Sequence, residues 1–351
     1  MGRITRMNPG NSLHPRNPRL QFLSMKSIRI HKHGGPDVMV FEEAPLPKAG
    51  PGEALVEVYV SGVNFVDTYY RVGLYKPPNL PFIPGSEAAG IVSAVGERVE
   101  DVRVGDRVAY AMSLGSYAEF AVVPAWKLAR LPDSLDFTAG AAIMLQGMTA
   151  HYLSHSTFPL KSGDTALVHA GAGGVGQLLI QVARRLGARI LATAGTPEKA
   201  ELARVAGAHE TIVYATQDFE SEVKRLTDGR GVDVVYDGIG ASTWEKSLNC
   251  LRPRGYLVLY GNASGPTPAV DPLLLMSKGS VFLTRPTLHH YAASRQEIQS
   301  RADDLFAWVA SGALKLRCDF NFPLRDAAKA HEELEARRTT GKVLLKVRDR
   351  I

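Results

Sequence analysis

Residues 166–176 read Ala-Leu-Val-His-Ala-Gly-Ala-Gly-Gly-Val-Gly, and this stretch decides the fold. The apolar run before the first glycine is typical of a buried parallel strand. Glycines at 171, 173 and 176 permit a tight turn, the close approach of a pyrophosphate, and close packing of the following helix. A helix predicted over 174–186 would offer its N-terminal N–H groups to phosphates. The pattern predicts a dinucleotide-binding turn, with contacts from Gly171, Ala172, Gly173, Gly174, Val175 and Gly176.

The second predicted strand, residues 188–194, has no acidic residue at its end. An acid there would hold the ribose 2′-hydroxyl of NAD. Glu198 is better explained as a helix N-terminal acid, with Thr196 as N-cap and Pro197 at the first helical position. Lys199 places a positive charge in the first turn of the helix, where the helix dipole makes it unfavourable. A bound adenosine 2′-phosphate would account for a lysine at this position, and the alternative is a solvated surface lysine. The pattern favours NADP over NAD.

Composition places the chain in a broad class. Its 351 residues are enough for two domains, and 45% hydrophobic with 22% charged residues is typical of a soluble globular protein. No apolar run approaches the roughly 18 residues of a membrane span. Cys250 and Cys318 give neither a disulfide framework nor a zinc lobe, so a cytoplasmic location is expected.

The net charge of +6 is concentrated near the N-terminus. Residues 1–36 hold seven basic residues and no acid, and the remainder carries a net charge of −1. Nucleic acid is therefore an improbable partner for the folded body. Residues 1–24 are predicted to be a disordered basic extension, with an organellar transit peptide as the alternative. Met25 could be the true start, because residues 26–30 resemble a first strand.

Two kinds of patterning divide the chain. Residues 25–130 contain short strands separated by Pro and Gly, which predicts a β-rich, barrel-like domain. Beyond residue 150, strands predicted at 165–170, 188–194, 211–213, 232–236, 256–260 and 280–283 alternate with helices at 174–186, 197–206, 217–227, 242–250 and 271–277. This alternation predicts a parallel, doubly wound sheet. Helices are predicted at 295–311 and 324–338, before a last strand at 342–347 that returns to the N-terminal domain.

The order of these parts resembles the medium-chain dehydrogenase/reductase superfamily. Motifs at residues 31–36, 62–69, 71–75, 85–90, 105–108, 236–240, 261–265 and 284–286 narrow the resemblance to its NADPH:quinone oxidoreductase branch, the zeta-crystallin relatives. The resemblance covers residues 25–351. It implies an α/β fold with a GroES-like catalytic domain (25–148 and 287–351) and a Rossmann NADPH-binding domain (149–286). It also implies a homodimer joined through the nucleotide-binding sheets.

Zinc-dependent relatives carry a cysteine ligand and a Gly-His-Glu pair at positions that correspond here to Asn64 and to Ser86 and Glu87. A catalytic zinc needs about three protein ligands, which Glu87 alone cannot supply. No functional metal is expected. Without a Lewis acid, hydride transfer to an electron-poor acceptor such as a quinone or enone is favoured over alcohol oxidation.

The resemblance places residues 64–69 and Tyr75 around the nicotinamide and the substrate. Asn64 could bind the cofactor or an acceptor oxygen, or be a turn residue. Asp67 could orient Asn64 or Tyr69, or be a plain helix N-terminal carboxylate. Tyr69 and Tyr75 could donate a proton, stack on an aromatic acceptor, or line the core.

The resemblance implies that Lys199, Tyr214 and Arg337 contact the 2′-phosphate. A shift of one position in the match would select Arg338 instead of Arg337. Arg337 could also be a solvated charge at the end of a helix. Gln146 stands where close bacterial relatives carry a lysine, which puts in doubt an electrostatic attraction for an anionic acceptor. Besides the glycine turn, the implied cofactor contacts are Asn64, Phe65, Tyr69, Thr149, Gly195, Thr196, Lys199, Tyr214, Gly261, Asn262, Ala263, Ser264, Leu283, Thr284, Arg285 and Arg337.

Three functions follow from these observations. The first is NADPH-dependent reduction of a quinone, and the second is reduction of an enone or alkenal on the same fold. The third is an NADPH-binding protein with a structural or RNA-binding role. The missing basic patch in the folded body counts against RNA, although the basic N-terminal arm could bind it weakly.

Overall fold

A computed structural model describes residues 24–77 and 79–348. The disorder predicted for residues 1–24 falls outside the described residues, except for Ser24, which begins the first strand. The strands are β1 (Ser24–Ile30), β2 (Met39–Pro45), β3 (Glu53–Val63), β4 (Glu87–Val95), β5 (Arg107–Ala111), β6 (Phe120–Pro124), β7 (Ala129–Arg130), β8 (Thr165–Val168), β9 (Arg189–Ala194), β10 (Glu210–Val213), β11 (Val232–Asp237), β12 (Leu251–Leu259), β13 (Phe282–Thr284), β14 (Phe320–Pro323) and β15 (Val343–Lys346). The helices are α1 (Phe65–Arg71), α2 (Phe137–Tyr152), α3 (Gly174–Arg185), α4 (Pro197–Ala206), α5 (Phe219–Leu226), α6 (Trp244–Asn249), α7 (Pro272–Ser277), α8 (Leu288–Tyr291), α9 (Arg295–Ala310) and α10 (Ala327–Glu335).

The alternating part of the chain forms one parallel sheet of six strands, in the order β10-β9-β8-β11-β12-β13. The strand order reverses beside β8, which is the topological switch point of a doubly wound fold. The predicted α/β architecture is therefore confirmed. One difference concerns β12, which begins at Leu251 rather than near residue 256, because it pairs with β11 through a register shift.

Strands β1 and β2 pair with each other in a small antiparallel sheet, and the other strands form an antiparallel-rich sheet around β3. Its order is β14-β15-β3-β4-β5-β7, and β6 also pairs with β3. The last strand, β15, lies antiparallel to β3, with Val343 opposite Val63. The predicted return of the chain to the N-terminal domain is confirmed.

Helix α2 connects the two sheets. It packs against β3, β4 and β5 on one side and against α3 and α9 on the other. Its residues Ile143, Met144 and Met148 are buried in a continuous apolar core that includes side chains from both sheets. The domain boundary predicted at residues 148–149 falls inside this helix, so the two halves share one core.

Asp136 caps the start of α2, since its side chain accepts a hydrogen bond from the backbone N–H of Ala139. At its other end the helix widens into a π-turn over Leu153–Thr157. None of the helices in the described part of the chain is long and apolar enough to cross a membrane.

Candidate active site

A cleft of about 950 Å³ lies between the two sheets, at the carboxyl ends of the parallel strands. The predicted residues that line it are Asn64, Phe65, Tyr69, Tyr75, Thr149, Ala172, Gly173, Gly174, Val175, Gly176, Gly195, Lys199, Tyr214, Gly261, Ala263, Arg285 and Arg337. The fold thus brings together, at one cleft, residues from segments that are far apart in the sequence.

Seven predicted residues are not among the residues that line the cleft: Asp67, Gly171, Thr196, Asn262, Ser264, Leu283 and Thr284. Several of them shape it from behind. Thr196 caps α4 by accepting a hydrogen bond from the Lys199 N–H. The backbone N–H of Asn262 donates to the Tyr69 hydroxyl at 2.9 Å. Leu283 and Thr284 belong to β13, just before Arg285.

The glycine turn between β8 and α3 is built as its spacing requires. A Cβ on Gly176 would overlap the carbonyl oxygen of Ala170, so the helix can approach the strand only because this residue is glycine. A Cβ on Gly174 would overlap the side-chain amide of Gln146. Glycine at these two positions therefore lets the first turn of α3 lie close to β8 and to Gln146.

At one end of the cleft, Lys199 and Arg337 bring two positive charges together. The Lys199 ammonium donates to the backbone carbonyl of Arg337 at 2.5 Å. Burial, and then the charge of Arg337, lower the pKa of Lys199. A bound anion would relieve both effects. Arg338 instead pairs with Glu333 at 2.7 Å, so of the two arginines it is Arg337 that lines the cleft.

At the other end, tyrosines form an aromatic wall. Tyr69 and Tyr75 meet edge to face, with ring centres 5.3 Å apart, and Tyr70 packs on Tyr75 at 5.8 Å. The Arg285 guanidinium donates to the Tyr75 hydroxyl at 3.3 Å. Burial raises the pKa of Tyr69 to about 12, so this phenol stays neutral at physiological pH.

Asp67 lies behind the cleft wall, fully buried. Its carboxylate accepts from the Ser86 hydroxyl at 2.7 Å, the Asn64 backbone N–H at 2.9 Å and the Tyr117 hydroxyl at 3.2 Å. It therefore orients the backbone of Asn64 rather than Tyr69. Burial raises the pKa of Asp67 to about 6.

Sequence reasoning missed part of the wall. The further lining residues include Met112, Leu114, Lys127, Gln217, Thr243, Lys246, Leu288 and His289. It also missed the buried ion pair between Lys342 and Glu87, behind Asn64. Glu87 belongs to a quoted motif, but nothing in the sequence marks Lys342, which precedes the last strand.

Among residues 24–77 and 79–348, no cluster of three His, Cys, Asp or Glu side chains could hold a metal ion. Both oxygens of Glu87 already have partners, namely the Leu145 N–H at 2.5 Å on one and the Asn64 amide and Lys342 on the other. The absence of a metal requirement remains a prediction.

Two family models match the chain. "Alcohol dehydrogenase GroES-like domain" covers residues 50–133, and "Zinc-binding dehydrogenase" covers residues 174–308. The quinone oxidoreductase of Pseudomonas aeruginosa is 47% identical over 91% of this chain and 99% of its own length. The chain belongs to the quinone oxidoreductase family. It is accordingly an oxidoreductase, with the GroES-like and Rossmann-type domains that its motifs indicated.

Two other proteins that this chain is similar to bear on the chemistry. The Escherichia coli quinone oxidoreductase, solved in complex with NADPH, is 44% identical and superposes with a TM-score of 0.88 over 92% of this chain and all of that one. A 2-haloacrylate reductase from a Burkholderia species is 45% identical over 90% of this chain and 97% of its own length. The proteins that resemble this chain thus include a quinone oxidoreductase and a reductase of 2-haloacrylate, which is an activated alkene.

Proposed function

We propose that this protein is an NADPH-dependent quinone reductase that works without a metal. The observation that carries the proposal is one continuous cleft, with the Lys199 and Arg337 charges at one end and the tyrosine wall at the other. The relative solved with NADPH supports the choice of cofactor. When bound, NADPH supplies a hydride to an electron-poor acceptor.

The residues present fit this cofactor. The glycine turn would hold the pyrophosphate on the N-terminus of α3, and Lys199, Tyr214 and Arg337 would hold the 2′-phosphate. The Gln146 Oε1 atom is buried beside Gly174 and has no partner among the described residues. A ligand hydroxyl next to the turn would satisfy it.

The tyrosine wall suits a flat, conjugated acceptor. Phe65, Tyr69 and Tyr75 offer ring edges and faces against which a quinone could stack. Tyr75, whose oxygen accepts from Arg285, is the proposed proton donor. Tyr69 is the weaker candidate, because burial raises its pKa to about 12.

The alternative acceptor is an activated alkene, which the similarity to the Burkholderia 2-haloacrylate reductase favours. Steady-state assays with NADPH against matched sets of benzoquinones, naphthoquinones, 2-haloacrylates and alkenals separate the two. We expect kcat/KM for the best quinone to exceed that for every alkene by at least about tenfold, which corresponds to roughly 1.4 kcal/mol. The reverse ranking would make the alkene reductase the correct assignment.

The cofactor preference has its own test. Lys199→Ala and Arg337→Ala should each raise the KM for NADPH about tenfold to a hundredfold, because each removes one charge-assisted contact to the 2′-phosphate. The KM for NADH should hardly change. Arg338→Ala is the matched control, since this neighbour pairs with Glu333 instead. Equal losses for both cofactors would show that these residues do not recognise the 2′-phosphate.

We also propose a homodimer joined through the parallel sheets. Strand β13 is the sheet's edge, and Phe282 on it is half exposed. Leu273 and Met276 on the neighbouring α7 are about two-thirds exposed. An unpaired edge flanked by apolar side chains is a typical association surface.

We propose domain limits at 25–148 with 287–351 for one domain and at 149–286 for the other. They rest on the division between the sheet around β3 and the parallel sheet. A cytoplasmic location is proposed from the cysteines, because both Cys250 and Cys318 are free thiols.

A further inference from the structure

Lys342 and Glu87 form an ion pair in the interior, next to the cleft wall. The Lys342 side chain is 3% exposed and that of Glu87 is fully buried. Removing two charges from water costs several kcal/mol per ion, and replacing such a pair by apolar side chains is often neutral or stabilising. A pair of this kind is therefore weak evidence for stability and invites a search for another role.

The pair acts on the side-chain amide of Asn64. The Asn64 Oδ1 atom accepts from the Lys342 ammonium at 2.9 Å and from the Gln146 amide at 3.2 Å. The Asn64 Nδ2 atom donates to Glu87 at 2.9 Å. The opposite orientation of the amide would place N–H groups against an ammonium and a carbonyl oxygen against a carboxylate. The surroundings therefore allow only one orientation.

One hydrogen of the amide remains unused. An amide nitrogen carries two hydrogens, and only one is taken by Glu87. Asn64 is 4% exposed and lines the cleft, close to Tyr69 and to the glycine turn. The fixed orientation means that the group left over is a donor, never an acceptor.

We propose that Lys342 and Glu87 are positioning residues, which hold Asn64 so that its second amide hydrogen meets a carbonyl oxygen bound in the cleft. That oxygen belongs either to the acceptor or to the nicotinamide carboxamide, so the inference rests on the proposed function. The ammonium on Oδ1 polarises the amide and strengthens the donor. Such a fixed donor stabilises an oxygen on which negative charge develops.

A mutant cycle tests the inference. Asn64→Leu removes the donor, and the neutral pair Glu87→Gln with Lys342→Met removes the positioning charges without leaving one ion unpaired. A triple variant combines them. For each protein, the dissociation constant of NADPH is measured by fluorescence without acceptor, kcat for a quinone by steady-state assay, and Tm by calorimetry.

The expected result is a loss of roughly threefold to tenfold in NADPH affinity or in kcat for Asn64→Leu, the size of one hydrogen bond between neutral groups, and up to about a hundredfold in kcat if negative charge develops on the oxygen. The neutral pair should reduce the same quantity, NADPH affinity or kcat, by most of the factor seen for Asn64→Leu. The triple variant should lose no more of it than Asn64→Leu alone. A loss in NADPH affinity assigns the oxygen to the carboxamide, and a loss in kcat alone assigns it to the acceptor.

Losses that multiply in the triple variant, or a neutral pair that binds and turns over like the parent, would overturn the inference. The control is the pair Asp233→Asn with Arg252→Met, whose ion pair of 2.5 Å is not part of the cleft lining. Asp233 is buried and Arg252 is partly exposed, and Asp233 also pairs with the more exposed Arg230. This control should change Tm without changing binding or kcat. Failure of the parent to reduce any quinone would refute the proposed function, while the NADPH dissociation constants, which need no acceptor, would still test the positioning of Asn64.

Discussion

Asp67 shows how the fold changes the chemistry of one side chain. Its carboxyl is fully buried, and burial raises its pKa from 3.8 to about 6 despite three hydrogen bonds from Ser86, Asn64 and Tyr117. In the unfolded chain the same group ionises at its ordinary value. The folded state therefore keeps a proton that the unfolded state releases between about pH 4 and pH 6.

A pH-dependent stability difference follows. The stability that the raised pKa of Asp67 contributes is fully present below the ordinary pKa that this carboxyl has in the unfolded chain. It is lost as the pH rises through about 6. Compared with Asp67→Asn, the parent should gain about 2 kcal/mol in free energy of unfolding between pH 7 and pH 4, measured by urea denaturation. For Asp218→Asn the difference should stay nearly flat, because hydrogen bonding to Lys246 lowers the pKa of Asp218 to about 2. If the difference in free energy of unfolding between the parent and Asp67→Asn also stayed constant with pH, burial would not raise the pKa of Asp67 as stated.

At the scale of elements, the site depends on how α3 and α10 are anchored. Helix α3 starts on the glycine turn, while α10 is tied to α1 through buried Arg71. The Arg71 guanidinium contacts His331 at 2.8 Å and Glu335 at 2.7 Å. Arg337 follows α10 by two residues in a left-handed conformation, with φ of 57°. These anchors hold the two ends of the nucleotide site against each other.

Two glycine substitutions test the first anchor. Gly176→Ala should destabilise the protein by roughly 2–4 kcal/mol and abolish NADPH binding, because the new methyl group overlaps the Ala170 carbonyl. Gly173→Ala places its Cβ 3.2 Å from the same oxygen, so the loss of stability should be smaller, although the new methyl group should also hinder the approach of the pyrophosphate. Thermal unfolding measures the stability of both variants, and NADPH titration measures binding. Equal losses of stability in the two variants would show that helix packing is not what requires Gly176.

At the scale of the whole molecule, the exposed edge of the parallel sheet predicts association. Leu273→Asp and Phe282→Asp place charges on the proposed dimer surface and should shift the protein toward monomer in sedimentation velocity. Val205→Asp, on α4 at 73% exposure, is the control and should leave the mass unchanged. A parent that sediments as a monomer at micromolar concentration would refute the dimer.

Much of the fold could be predicted because its patterns are local. The bounds of α4 agree residue by residue, since Thr196, Pro197 and Gly207 mark the ends of that helix by capping. The bounds of β12 could not be predicted, because they depend on a register shift against β11. Likewise the sequence indicated Arg337 as a 2′-phosphate contact only through a resemblance. In the structure Arg338 pairs with Glu333, and this pairing distinguishes it from Arg337.

The parallel sheet, the glycine turn and the lack of an acid after β9 could be recognised from the amino-acid sequence, because each depends on residues that are neighbours along the chain. The orientation of the Asn64 amide could be known only from the folded protein, because it depends on Glu87, Gln146 and Lys342 from three distant segments. The tertiary structure also decided that Asp67 is a buried support rather than part of the cleft lining. Burial and side-chain contacts across the chain are properties of packing, and local patterns do not encode them.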